Sequence, residues 1–365
     1  MNHNLFVSRA TAEDALVWDE YLMGHFARYP ELAHHAFYFA WSSVITATFG
    51  HKPFFLIARE QEGGAIQGLL PLFLVKSPLF GTALISNPYL NAGGMLADSP
   101  EVAQLLVQFV ERLAAEEKVD YVELRVREAG SVCPAGWSVR SHKLTMALPL
   151  RTDPEELFES FPAKLRSQIR RPAKAGLRVT SLTPQPGEND RECLEALEQF
   201  YGVFARHMRD LGTPVYSRRL FSNSAAALGT KLRIFIVWSG AIPVAASITI
   251  GAGKSLEVPW ACALRKYNQH SPNMLLYWEM MKQACADGYQ TFDFGRSTPG
   301  SGPHKFKQQW GANEHPLFWV YKLQHGEIPD VNPKSLKFST LVRVWQRLPV
   351  PIANFLGPLI TRGLP

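Results

Sequence analysis

Residues 233–296 hold the stretch that decides the fold: RIFIVW (Arg233–Trp238), a turn at Ser239–Gly240, IPVAASITIG (Ile242–Gly251), SLEVPWACAL (Ser255–Leu264), then a helical run closing on QTFDFGR (Gln290–Arg296). The apolar runs are short, rich in β-branched residues and bounded by turn signals, so they read as strands. Between the third and fourth, Leu276, Met280 and Ala284 recur at helical spacing, which predicts a helix from about Asn273 to Asp287, stopped at Gly288.

The same order occurs upstream. FFLIAR (Phe54–Arg59) is followed by a turn at Gly63–Gly64, IQGLLPLFLV (Ile66–Val75), ALIS (Ala83–Ser86) and NPYLNAGGM (Asn87–Met95). A helix from about Pro100 to Lys118 is predicted by Val102, Leu105, Leu106, Phe109, Val110 and Leu113, and DYVELRV (Asp120–Val126) closes the series. Two copies of one α/β unit follow from this. The expected division is 1–150, 151–330 with a basic helical entry segment, and an amphipathic tail 331–365.

The entry segment opens at Asp153-Pro154-Glu155-Glu156, with an N-cap, a first-position proline and acids in the first turn. It runs into KLRSQIRRPAKAGLR (Lys164–Arg178), which holds no acid; as a helix it sets Arg166, Arg170 and Lys174 on one face beside Arg171, with Pro172 disrupting it locally. Such a run is either a solvated face or a site for anionic phosphates. A second helix, Cys193–Gly212, ends in Arg206, His207, Arg209 and Asp210.

In 365 residues, 46% apolar and 19% charged, the chain has material for two globular cores. A net charge of +6 permits an anionic partner without requiring one. Cys133, Cys193, Cys262 and Cys285 show no metal spacing and fit a reducing compartment. MNHNLFVSRATAEDA has no apolar signal region, and no run reaches the ~20 apolar residues of a membrane span, so a cytoplasmic location is expected. In the tail, Leu341, Val344, Trp345 and Leu348 form an apolar stripe broken by Arg343 and Arg347: a packing helix, or a peripheral anchor on the inner membrane.

Serine-hydrolase, zinc-protease, EF-hand, Walker and dinucleotide signatures are all missing. His34 and His35, as helical neighbours, would point about 100° apart, which makes a poor metal pair; no metal is expected. The promising chemistry lies in QTFDFGRSTPGSGPHKFKQQWG (Gln290–Gly311): a strand end bearing Asp293 and Arg296, a Gly/Ser/Pro loop, then Lys305 and Lys307 beside Phe306 and Trp310.

KLRSQIRRPAKAGL, QFYGVFARHMRDLGTPVYSRRLF, NMLLYWEMM, DFGRS and FKQQWG, in that order, resemble the FemAB-like aminoacyl and acyl transferases, nearest in pattern to the FemAB-related proteins of exosortase/PEP-CTERM systems. The resemblance spans nearly the whole chain and is strongest from Lys164 to Gly311. It implies an α/β (α+β) fold of two tandem GNAT-like domains, each a mixed, mainly antiparallel sheet flanked by helices. It also implies an N-acyltransferase acting on an amine of a cell-envelope or exopolysaccharide precursor.

On this resemblance Lys307 matches a functional lysine near the reacting ester, with Asp293 and Arg296 bordering the cleft. Two roles stay open for Asp293: general base, or ion-pair partner of Arg296. Trp260 and Tyr277 would line the acceptor cleft with Lys305, and Asn87, Tyr89 and the Gly93–Gly94 pair would shape the groove. Arg166, Arg170, Arg171, Lys174 and Arg265 would meet the donor's phosphates. The donor is aminoacyl-tRNA or acyl-CoA, with no bound cofactor and no DNA partner; a non-catalytic binding module is the other alternative. RKYNQHSPN (Arg265–Asn273) lacks the glycines that hold coenzyme A pyrophosphate in ordinary GNAT enzymes, which weakens the acyl-CoA reading. Three departures from the pattern are Pro172, Pro303–His304–Lys305 where an aromatic is usual, and the missing coiled-coil insertion through which some relatives would contact tRNA.

Overall fold

The computed structural model describes residues 5–61, 63–127, 134–187, 190–328 and 336–364. Its first half runs β1 (Phe6–Arg9), α1 (Ala15–Arg28), α2 (Trp41–Phe49), β2 (Lys52–Arg59), β3 (Ile66–Ser77), β4 (Gly81–Ser86), β5 (Leu96–Ala97), α3 (Pro100–Glu116), β6 (Tyr121–Val126) and β7 (Ser138–Pro149). After α4 (Pro154–Ser160) and α5 (Ala163–Lys174), the second half runs β8 (Leu177–Leu182), α6 (Arg191–Leu211), α7 (Arg218–Leu228), β9 (Leu232–Ser239), β10 (Ile242–Ala252), β11 (Ser255–Ala263), α8 (Pro272–Ala286), β12 (Thr291–Ser297), α9 (Gly302–Gln308) and β13 (Asn313–Leu323). The tail forms α10 (Leu336–Trp345) and α11 (Val350–Thr361).

The duplication is plain in the sheet. In each half three antiparallel strands lead to one parallel pair, β4 with β6 (Ala83 opposite Tyr121) and β11 with β12 (Ser255 opposite Thr291). The last strands then cross over. β13 pairs with β6 of the first half, and β7 inserts between β13 and β12, giving one sheet in the order β1-β2-β3-β4-β6-β13-β7-β12-β11-β10-β9-β8. Each half therefore completes the other's sheet, and β7, though within 1–150, is hydrogen-bonded on both sides to strands from beyond 290.

Local chemistry explains the helices. Ser99 accepts from the Val102 amide and Pro100 opens α3, whose Val102, Leu106, Val110 and Leu113 are buried against the sheet. Helix α8 is apolar nearly all round because it lies between the sheet and α4–α5, with Leu276, Met280 and Met281 fully enclosed. The basic entry segment is two helices, not one, because Phe161 and Pro162 are extended. Pro172 does not disrupt α5: it falls in the last turn, where the helix ends two residues later. The expected Gly/Ser/Pro loop after DFGRS contains a short helix instead, since Ser301 caps α9 by accepting from the His304 amide and Pro303 suits its first turn. Cys193, Cys262 and Cys285 are buried thiols; Cys133 lies outside the described residues. Among the described residues no helix is long and apolar enough to cross a membrane.

Candidate active site at the junction of the two halves

Lys307 on α9 is 5% exposed, and its Nζ donates to the carbonyls of Gly295 (2.6 Å) and Arg296 (3.1 Å) on β12. These carbonyls are accessible because β12 bulges against β7 between Asp293 and Arg296. Gly295 makes the bulge with φ +72, and a Cβ there would stand 2.8 Å from the Val258 carbonyl oxygen. Gly295→Ala should therefore cost at least about 2 kcal/mol through left-handed strain and this clash, read as a lower urea midpoint, and should disturb the Lys307 anchor. Burial lowers the Lys307 ammonium to a pKa of about 8, against the pull of Asp293 and Glu257.

Asp293 is fully buried and fully engaged. It accepts from Arg127 Nη2 (2.8 Å), from the Gly295 amide (2.8 Å) and from the Thr145 hydroxyl. Its ion-pair partner is thus Arg127 of the first half, not Arg296. The strand register makes Glu123 the counterpart of Asp293 in the other half, since Glu123 faces Ile85 as Asp293 faces Glu257. Glu123 holds Arg125 Nε at 2.7 Å; each half seats a carboxylate under a guanidinium at the same place.

Arg296 points its side chain to solvent while facing Arg125, Tyr216, Glu123 and Glu257 across the cleft. Surrounding protein and then Arg125 depress its pKa below that of a free guanidinium. Beside it, a cavity of about 600 Å³ in the first half is lined by Arg125, Arg127, Gly93, Gly94, Asp98 and His25, among others. Lys307 does not line this cavity. Arg127 joins the two, with one face on the cavity and Nη2 on Asp293.

Beneath the cleft lies a group that sequence reasoning missed. Glu257 Oε2 stands 2.6 Å from His34 Nε2 and 2.8 Å from His35 Nε2, while Asn91 donates to Oε1 at 2.6 Å. The two imidazoles do not share a helix: His34 is extended and caps a short 3-10 turn that His35 opens, and the rings stack with centroids 4.7 Å apart, so both reach one carboxylate. These three side chains sit close enough to enclose a metal ion. However, the Ala36 amide donates to His34 Nδ1, which leaves the proton on Nε2, against the carboxylate. A metal would need that lone pair, so the tautomer places an N–H, and not a metal ligand, against the carboxylate. Burial alone would raise Glu257; His34 and His35 together bring it well below the usual carboxylate range.

The other expected residues are dispersed. Trp260 is buried edge-on to Phe221, and Tyr277 packs among Phe294, Phe306 and Trp310; both are core side chains and neither opens on the cleft. Asn87 is buried, donating to the Ala36 carbonyl, and so shapes the loop from behind. Tyr89 donates to the Arg362 carbonyl at 3.0 Å and contacts His51 Nε2 at 2.7 Å, beside Tyr216. Lys305 is exposed on α9. Arg166 is bound to Glu159 and the Phe161 carbonyl, and Arg170 lies over Phe158, whereas Arg171 and Lys174 are exposed at the end of α5. Arg265 donates to the Asp210 carbonyl.

Two mixed-sheet units flanked by helices that exchange their last strands define a tandem GNAT fold. Residues 163–308 match the acetyltransferase (GNAT) domain family. Among solved structures, the chain is similar to the crystal structure of FemX, with 16% identity over 87% of this chain and 97% of that one, TM-score 0.64. It is also similar to the C-terminal domain (DUF2156) of a putative lysylphosphatidylglycerol synthetase from Agrobacterium fabrum, with 12% identity over 86% and 93%, TM-score 0.55. A tandem GNAT protein from the clavulanic acid biosynthesis pathway gives 13% identity over 90% and 100%, TM-score 0.53. No curated protein sequence matches the chain.

Proposed function

We propose that the protein is an N-acyltransferase that moves an acyl or aminoacyl group from an activated carrier to an amine of a cell-envelope or exopolysaccharide precursor. The observation that carries this reading is Lys307: a buried ammonium fixed on a strand bulge at the junction of two GNAT units, with two of its three N–H groups on carbonyls. The neutral acceptor amine attacks the carbonyl carbon of the donor. A C–N bond forms, and the carbonyl electron pair moves to oxygen, where the remaining Lys307 donor meets it. Collapse breaks the C–O or C–S bond to the carrier, and the surplus amine proton leaves with that oxygen or sulfur. Asp293 holds Arg127 and the bulge in place; with three partners already, it is a positioning residue and not the base.

The donor favoured is aminoacyl-tRNA. In the second half, the segment that would cradle coenzyme A is wound into a 3-10 helix (Arg265–His270), and the following helix starts with Pro272, which has no amide donor. Exposed Arg171 and Lys174 are free of these constraints and suit a phosphate backbone. Separate calorimetric titrations with coenzyme A and with charged tRNA test the choice. Binding of tRNA that weakens with salt and in Arg171→Glu/Lys174→Glu is expected; binding of coenzyme A alone would replace this donor by acyl-CoA. The exosortase/PEP-CTERM setting rests on the resemblance of the sequence motifs.

A further inference from the structure

Helix α11 is packed inside out. Its small residues Ala353, Gly357 and Thr361, four apart, face the protein, and Gly357 fits so closely that a Cβ would stand 2.8 Å from the backbone of Val215. Its large apolar residues face away: Phe355 is 73% and Leu359 67% exposed, with Ile352, Leu356 and Ile360 on the same side. Water-soluble helices bury the large residues and show the small or polar ones, so this face is built for a surrounding other than water. Leu341 and Val344 on α10 are exposed as well.

The charge around this face is of one sign. From Val331 to Pro365 the sequence has five Lys/Arg and no Asp/Glu, and Arg343, Arg347 and Arg362 are exposed. We propose that α11, with α10 beside it, is an interfacial anchor that lays its apolar face into an anionic phospholipid surface. Twelve residues of helix are about 18 Å long, well short of the ~30 Å hydrocarbon core, so the helix lies in the headgroup boundary and does not span it. Pairing with a second copy of the chain is disfavoured, because a twofold contact would set the same cations against each other. The carbonyl of Arg362, at the end of this helix, accepts from Tyr89, so the anchor would hold the groove beside the bilayer. This inference stands independently of the acyl-transfer reading.

Co-flotation of the full chain with vesicles tests it. Vesicles with about one-third phosphatidylglycerol should carry the protein, pure phosphatidylcholine vesicles should carry about tenfold less, and raising salt to about 0.5 M should release it. Phe355→Glu/Leu359→Glu should lose at least about tenfold in binding at unchanged melting temperature, since both positions are exposed. Failure to float with anionic vesicles, or equal flotation of the double variant, overturns the proposal. So does concentration-dependent dimerisation, abolished by the double variant, in a chain that does not bind vesicles.

Discussion

Lys307→Met should lower kcat for acyl transfer by roughly 10²- to 10³-fold, the usual effect of removing one donor aimed at a developing oxyanion. The protein should nevertheless stay folded and lose no stability at neutral pH. The reason is the depressed pKa: the ammonium is about 8 in the folded state against 10.5 ordinarily, so burying the charge works against folding. That penalty is fully present below about pH 8 and fades as pH rises toward the unfolded value. A shift of this size corresponds to about 3 kcal/mol at most, and the two carbonyls left without a donor take back part of it. The net expectation is a change between zero and a gain of about 2 kcal/mol in unfolding free energy. A second consequence lies in the pH profile. Activity should fall as pH rises through about 8, when Lys307 loses its proton, while the acceptor amine gains reactivity over the same range. Lys307→Arg should retain the charge and move the alkaline limb upward. Wild-type turnover in Lys307→Met, measured under single-turnover conditions, would remove the residue from the mechanism.

Much of this site could be read from the chain, and the omissions have a common cause. The two α/β units were legible because each is local: apolar runs, glycine turns and helical spacing are all written within about 70 residues. DFGRS and FKQQWG stood out because cations and an acid follow a buried strand. What escaped was everything made by the exchange of strands. SVRSHKLTMALP and NEHPLFWVYKL become β7 and β13 only by pairing with each other and with strands of the opposite halves, a choice that no local pattern encodes. The Arg127–Asp293 pair depends on that exchange, as partners 166 residues apart. A usable signal did exist. Glu123, Arg125 and Glu257 sit in otherwise apolar strands, DYVELRV and SLEVPW, and a charge in such a strand must find a partner or stay unfolded. Trp260 and Tyr277 show the opposite error: aromatic residues near a motif suggested a cleft, but on β11 and α8 they face the two cores.

Glu257 is where the largest loss of stability is expected. Its carboxylate receives His34, His35 and Asn91 of the first half while standing on β11 of the second, so one residue ties the halves together below the cleft. Glu257→Ala removes the carboxylate that lies against two buried imidazoles and accepts from Asn91, and removing one member of a buried charged group costs roughly 3–5 kcal/mol. Glu257→Gln keeps the shape but replaces one oxygen by a donor that faces the proton on His34 Nε2, so it should be nearly as damaging. The pH dependence has a definite sign. The folded-state pKa of Glu257 lies well below 4.5, so its contribution is complete above the unfolded value and is lost as pH falls through the folded one. Burial lowers His35 below 6.5 in spite of Glu257, so acid also favours the unfolded chain through this residue, from pH 6.5 downward. Urea midpoints measured between pH 8 and 4 should fall steadily in the wild type. In Glu257→Gln they should start lower and lose the part of the slope below about pH 4.5. Chelation by EDTA should leave both curves in place, because the His34 tautomer seats a proton where a metal would bind. A Glu257→Gln chain as stable as the wild type would show that the halves are held by the exchanged strands alone.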